Sequence, residues 1–201
     1  MDKTAGTAGG GAVPCDLDHL QGLIYDEQEY SPDKGLSREE ILSLLEAFRR
    51  TYSSGNLQPW EVIVVQDPEK KRQIVGCTLD AFFRDSDEMR QTWIESAPVV
   101  LVILANLRRA LSRFGEAGRD VAIQDVAAAV QNLRLSACQN GIASAWIREI
   151  SAERITRLFS LGKHLLPVGL VTLGFPKNPE KAAMEFEGRP RLAINRFCRW
   201  A

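Results

Sequence analysis

Residues 97–105 (APVVLVILA) carry no charged or polar side chain. The run is about half of the ~20 residues that a membrane span requires, so it reads as a buried strand. A chain of 201 residues, 45% of them hydrophobic, is long enough to build a sizeable core around such a strand within one domain. Formal net charge is -1 and the sequence pI is about 6.2. That balance offers no electrostatic reason to expect a nucleic-acid partner or an anionic membrane surface.

The flanking sequence predicts the elements that would cover the strand. Residues 1–14 are rich in Gly, Ala and Thr and lack the apolar h-region of a secretory signal, so they are expected to form a flexible tail ahead of one domain, 15–201. Asp16 is an N-cap candidate for a short first helix carrying Leu17, Leu20 and Ile24. Ser37, with Glu40 three residues on, forms a capping box ahead of the stripe Ile41, Leu44, Leu45 and Phe48. Residues 60–65 (WEVIVV) read as a strand, and Asp67-Pro68 as the N-cap and first position of the next helix. A helix is expected to start near Ser86 and carry Met89, Trp93 and Ile94 ahead of a strand over 99–104. Residues 107–119 read as charged and irregular, followed by a long helix over about 120–140 that is apolar on several sides and ends at Gly141. Strands at 143–147 and 167–173 bracket a helix opened by Ser151, and from Gly174 the chain reads as an irregular tail. Few strands among many helices imply an α+β or α/β sandwich of sheet and helices.

Most chemistries that depend on side chains alone lack their parts. The two histidines are His19, on the weak first helix, and His164, in a Gly-Lys-His turn. A hydrolytic triad would have to use one of them, and a zinc site would need clustered His or Cys that the sequence does not offer. Gly9, Gly10 and Gly11 follow no strand and precede no Lys-Ser/Thr, which rejects a phosphate-cradling P-loop. Cys15, Cys77, Cys138 and Cys198 are widely spaced without a CxxC and read as reduced thiols of a cytoplasmic protein. Asp26, Glu27 and Glu29 suit a solvated acidic turn. An enzyme built this way would draw its chemistry from a cofactor.

Two segments stand out. Residues 53–60 (SSGNLQPW) bring the hydroxyls of Ser53 and Ser54 and the amides of Asn56 and Gln58 into one turn before a rigid Pro and an aromatic ring. Paired donors and acceptors of this kind match the alternating N–H and C=O edge of a flat heteroaromatic, although they equally suit a turn that caps its own backbone. In the tail, Pro190 separates Arg189 and Arg191, which could fork a phosphate or simply be solvated.

Together these segments resemble the FMN-dependent nitroreductase family. The loop followed by EVIVV and DPEKK carries the likeness, and further stretches agree in order: 96–100 (SAPVV), 124–133 (QDVAAAVQNL), 141–147 (GIASAWI), 167–176 (PVGLVTLGFP) and Arg191-Leu192. The resemblance implies an α+β fold with a central, mostly antiparallel sheet and the long helix in the core of a homodimer. It also implies FMN at the subunit interface and hydride transfer from NAD(P)H through the flavin to a nitroaromatic, a quinone or another small-molecule acceptor. In the likeness, Ser53, Ser54, Asn56 and Gln58 contact the flavin, Trp146, Ile147 and Arg148 (with Glu149) line its ring, and Arg189 and Arg191 hold its phosphate. No side chain is nominated as a catalytic acid or base. The family's N-terminal Arg-Arg-Ser phosphate grip is replaced: with its closing aromatic aligned to Tyr30, Ile24, Tyr25, Asp26, Glu27 and Gln28 stand in its place. An unpaired carboxylate beside a phosphate is repulsive by about 1 kcal/mol at ~4 Å in water and by more where solvent is excluded. A second departure is the bulky Arg148-Glu149 pair, which could narrow the acceptor pocket. The alternative reading is therefore a degenerate family member with weak or no flavin binding, acting as a ligand-binding or assembly partner.

Overall fold

The computed structural model describes residues 24–179 and 191–200, so the expected tail, the first helix from Asp16, Cys15, His19 and Arg189 lie outside the described residues. Helix α1 spans Arg38–Arg49, and its capping box forms as expected: Ser37 Oγ accepts from Glu40 N while Glu40 reaches back to the Ser37 N–H. Strand β1 is Trp60–Val65 and helix α2 is Pro68–Val75, whose N-cap Asp67 accepts from Lys70 N. Strand β2 runs Val99–Asn106. Helix α3 is Leu107–Phe114 and α4 is the 22-residue helix Gly118–Gln139. Strand β3 (Ala143–Ile147), helix α5 (Ala152–Leu158) and strand β4 (Leu165–Gly174) complete the order.

The four strands form one sheet in the order β1-β2-β4-β3, with every ladder antiparallel. The absence of alternation in β2 is now explained. Val99, Leu101, Ile103 and Ala105 face one core with Ile41, Leu44 and Phe48 of α1 and Val126, Val130 and Leu133 of α4. Val100, Val102 and Leu104 face a second core with Ile74 and Val75 of α2 and Ile155 of α5. A strand covered on both faces has no polar side to declare. Where Pro167 removes a ladder donor from β4, the register shifts between Ile103 and Leu104, which accommodates the missing N–H.

Two sequence expectations are corrected. The helix expected from Ser86 is two short 3-10 turns, Asp87–Met89 and Thr92–Ser96. Arg90 breaks it: its backbone is extended, and its guanidinium is drawn off to the Thr78 carbonyl and to Asp85 and Asp87. The stretch read as irregular, 107–119, holds α3, a single 3-10 turn at Gly115–Ala117 and the start of α4. Leu107, Ala110, Leu111 and Phe114 recur at helical spacing there, and Ala110 is fully buried against α4. Gly118 makes that crossing possible, because a Cβ on it would lie 2.5 Å from the backbone carbon and oxygen of Ala110.

Candidate active site

The loop before β1 is built from one buried carboxylate. Asp125 of α4 accepts from the Ser54 backbone N–H at 2.9 Å and from Ser54 Oγ at 3.2 Å. Ser53 is buried, and its hydroxyl accepts from Gln58 N at 3.0 Å. Between these anchors Gly55, Asn56 and Gln58 all take left-handed backbone, with φ of 61°, 55° and 48°. Two non-glycine residues there store strain that the anchors must hold. The result presents the amides of Asn56 and Gln58 side by side at the surface, Gln58 Nε2 donating to Asn56 Oδ1 at 3.3 Å.

At the other edge of the sheet, residues 25–30 lie along β3. Glu27 N donates to Ser144 O, and Trp146 N donates to Asp26 Oδ1. Tyr30 stacks this strap onto the sheet, its hydroxyl donating to Glu27 O at 3.0 Å and meeting Thr172 Oγ1 at 2.6 Å. Burial raises the Tyr30 phenol well above the ordinary range, opposed by its Thr172 bond and reinforced by the Glu27 charge. The two carboxylates that seemed to oppose a phosphate are both engaged. Asp26 pairs at 2.8 Å with the buried Arg134 of α4. Glu27 accepts from the N–H groups of Gln28 and Glu29 and from the Tyr25 hydroxyl. Neither is the unpaired acid that the residue types alone implied.

A cleft of about 520 Å³ opens at this edge, lined by Asp26, Gln28, Arg90, Gln91, Trp93, Trp146 and others. It also takes in Ala145, Ile147 and Glu149. Trp146 is half-buried and lies across Gly169, where a Cβ would stand 2.9 Å from the indole Nε1. That Nε1 is buried and finds no hydrogen-bond partner among the described residues. The exposed Arg148 guanidinium sits 5.3 Å from the Trp146 ring centroid.

The structure thus gathers Ser53, Ser54, Asn56 and Gln58 into one cluster and Trp146 and Ile147 into another, with Arg148 beside the second, but does not join the two clusters within one chain. They occupy opposite edges of the sheet, three strand spacings or about 14 Å apart. Arg191 is exposed. The sequence reading missed Gln28, Arg90, Gln91 and Trp93 in the cleft and Asp125 and Arg134 behind it. Gln91 and Trp93 repeat the amide-plus-aromatic chemistry of the loop and could have been found by that signal. The buried polar partners on α4 had none, because on a helix so widely apolar they mark no face. Among the described residues, no group of three or more His, Cys, Asp or Glu could hold a metal ion, and no helix is long and apolar enough to cross a membrane.

The donor set fits a flavin ring. Gln28 and Gln91 offer both halves of an amide edge and Trp93 offers flat apolar surface, while on the other face of the sheet the buried Trp146 Nε1 is a donor without an acceptor. An antiparallel sheet with helices on both faces and an amide- and indole-lined cleft at one edge defines an α+β protein shaped to hold a flat heteroaromatic. Residues 25–175 match the model of the nitroreductase family. An NADH dehydrogenase of Thermus thermophilus is 30% identical over 197 residues, covering 83% of this chain and 85% of its own. An FMN reductase (NADPH) of Bacillus subtilis is 26% identical over 160 residues, covering 73% of this chain and 60% of its own. An FMN-dependent nitroreductase structure from Clostridium difficile R20291 superposes with a TM-score of 0.66 at 21% identity, covering 79% of this chain and 87% of that one. The chain belongs to the nitroreductase family.

Proposed function

We propose that the protein is a homodimeric, cytoplasmic oxidoreductase, its residues 15–201 one domain, that passes hydride from NAD(P)H by way of FMN to a nitroaromatic, a quinone or a similar acceptor. As a nitroreductase-family member it is an NAD(P)H-dependent flavin oxidoreductase with FMN as its cofactor. When bound, FMN supplies the two-electron chemistry. The chain's own residues bind, orient and exclude water. Gln28 and Gln91 address the polar edge of the ring and Trp93 covers a face of it, while Trp146 and Ile147 bound it from β3. Asn56 and Gln58 tune it from the loop, and Arg189 and Arg191 hold the phosphate.

The observation that carries this reading is the separation of the two clusters. One chain cannot close its own 53–58 loop over its own β3 cleft, but a two-fold axis presents one protomer's loop to its partner's cleft twice over. The scaffold reading rested on Asp26 and Glu27, and both carboxylates are spent on Arg134, backbone N–H groups and Tyr25. The test is the visible spectrum of purified protein together with sedimentation. A yellow dimer that bleaches with NADPH or NADH is expected. A colourless monomer that takes up no added FMN would refute the proposal.

A further inference from the structure

Helix α3 carries Arg108, Arg109 and Arg113, all exposed, with no acidic residue in its eight positions. Eight other arginines, Arg49, Arg50, Arg72, Arg84, Arg90, Arg134, Arg154 and Arg157, each form an ion pair, whereas the exposed Arg38, Arg119, Arg148, Arg196 and Arg199 show none among the described residues. Those of α3 form none among the described residues. Two of the three stand four positions apart, on one face of the helix, against the strained loop. Arg109 Nη1 donates to the Gln58 carbonyl at 2.6 Å. The Arg113 Nε lies 3.6 Å from where a Cβ on Gly55 would stand. A pair of guanidiniums left without a counter-ion beside the surface amides of Asn56 and Gln58 is a site for a forked anion.

We infer that Arg109 and Arg113 bind the phosphates of the incoming NAD(P)H, in the active site that the 53–58 loop helps to complete. The inference rests on the proposed function and adds the residues that recognise the electron donor. A dinucleotide phosphate suits them better than the FMN phosphate does. Both arginines are exposed, as befits a ligand that arrives and leaves in every cycle, whereas a resident cofactor calls for enclosure.

The test is the double variant Arg109→Ala/Arg113→Ala, read first by calorimetric titration with NADP+ and NAD+, then by flavin titration. Dinucleotide binding should weaken about tenfold or more, and KM for NAD(P)H should rise with kcat little changed. Because Arg109 also holds the Gln58 carbonyl, any change in flavin affinity should fall equally on FMN and riboflavin. Arg109→Lys/Arg113→Lys keeps the charge but not the fork, so it should recover part of the loss and also report that the fold is intact. Unchanged dinucleotide binding in the alanine variant overturns the inference. So does a selective loss of FMN over riboflavin, which would assign the pair to the cofactor's phosphate instead. A wild-type protein that takes up no flavin is a different failure, that of the proposed function itself.

Discussion

Asp26 has the environment of a structural ion-pair partner at the edge where the cleft opens. Its carboxylate satisfies a buried guanidinium and a β3 backbone N–H at once. Its side chain is 50% exposed while that of Arg134 is 9% exposed, so water can compensate Asp26 but not its partner. Burial lowers the Arg134 pKa and Asp26 acts to restore it. Asp26→Ala should therefore cost about 2–3 kcal/mol in urea unfolding, and Asp26→Asn, which keeps the acceptor oxygen, about half of that. Equal stability of all three proteins would mean that the pair does no more than an exposed one. Tyr30 gives a pH signature. Its folded pKa is raised by burial, so the native state keeps a proton that the unfolded chain releases above about pH 10. The native state then binds more protons than the unfolded one, and stability falls by about 1.4 kcal/mol per pH unit from there up through the folded pKa. Tyr30→Phe should cost about 1–2 kcal/mol at pH 8 for the lost Thr172 and Glu27 contacts. That gap should close as pH rises past about 10, in urea midpoints measured from pH 8 to 11. A gap independent of pH would place the phenol in water.

At the scale of elements, α3 is the instructive case. Its arginines make it look like a solvated stretch, and its apolar residues, four in eight, carry a helical period that the charges mask. The element exists because Ala110 can press its backbone against Gly118 at the start of α4. A glycine in a helix interior ordinarily gains about 1 kcal/mol on replacement by Ala, and Gly118, the first residue of α4, stands to gain less. Here the contact is with backbone, which cannot turn aside, so overpacking wins. Gly118→Ala should destabilise by about 2 kcal/mol or more in thermal or urea unfolding and weaken dinucleotide binding by shifting α3 from the loop. A stabilised variant would show that the two helices cross more loosely. The helix expected near Ser86 fails for the opposite reason. Its periodicity is sound, but the tertiary bonds of Arg90 to Thr78, Asp85 and Asp87 outcompete it.

At the scale of the molecule, the proposed dimer, with FMN held between its protomers, predicts that FMN stabilises both. Adding FMN at about one hundred times its Kd contributes about 2.7 kcal/mol, which for a chain of this size corresponds to roughly 5–10 °C in Tm. Differential scanning fluorimetry with FMN, and riboflavin as comparison, checks it; a melting point indifferent to FMN would leave the cleft without its ligand. Several features of the protein follow from its sequence alone. The unbroken apolar run demands a strand covered on both faces, the capping box at Ser37 and the N-caps Asp67 and Ser151 set where three helices begin, and the spacing of SSGNLQPW and its companion stretches marks the family. The first two are local properties, decided by residues within a turn or two of each other, and the third is an order of short motifs along the chain. Only the tertiary structure decided that Asp26 belongs to Arg134, 108 positions away, that Asp125 holds Ser54, and that the loop and the cleft lie at opposite edges of the sheet. Whether a charge is paired or exposed depends on what long-range packing brings beside it, and no pattern along the chain records that neighbour.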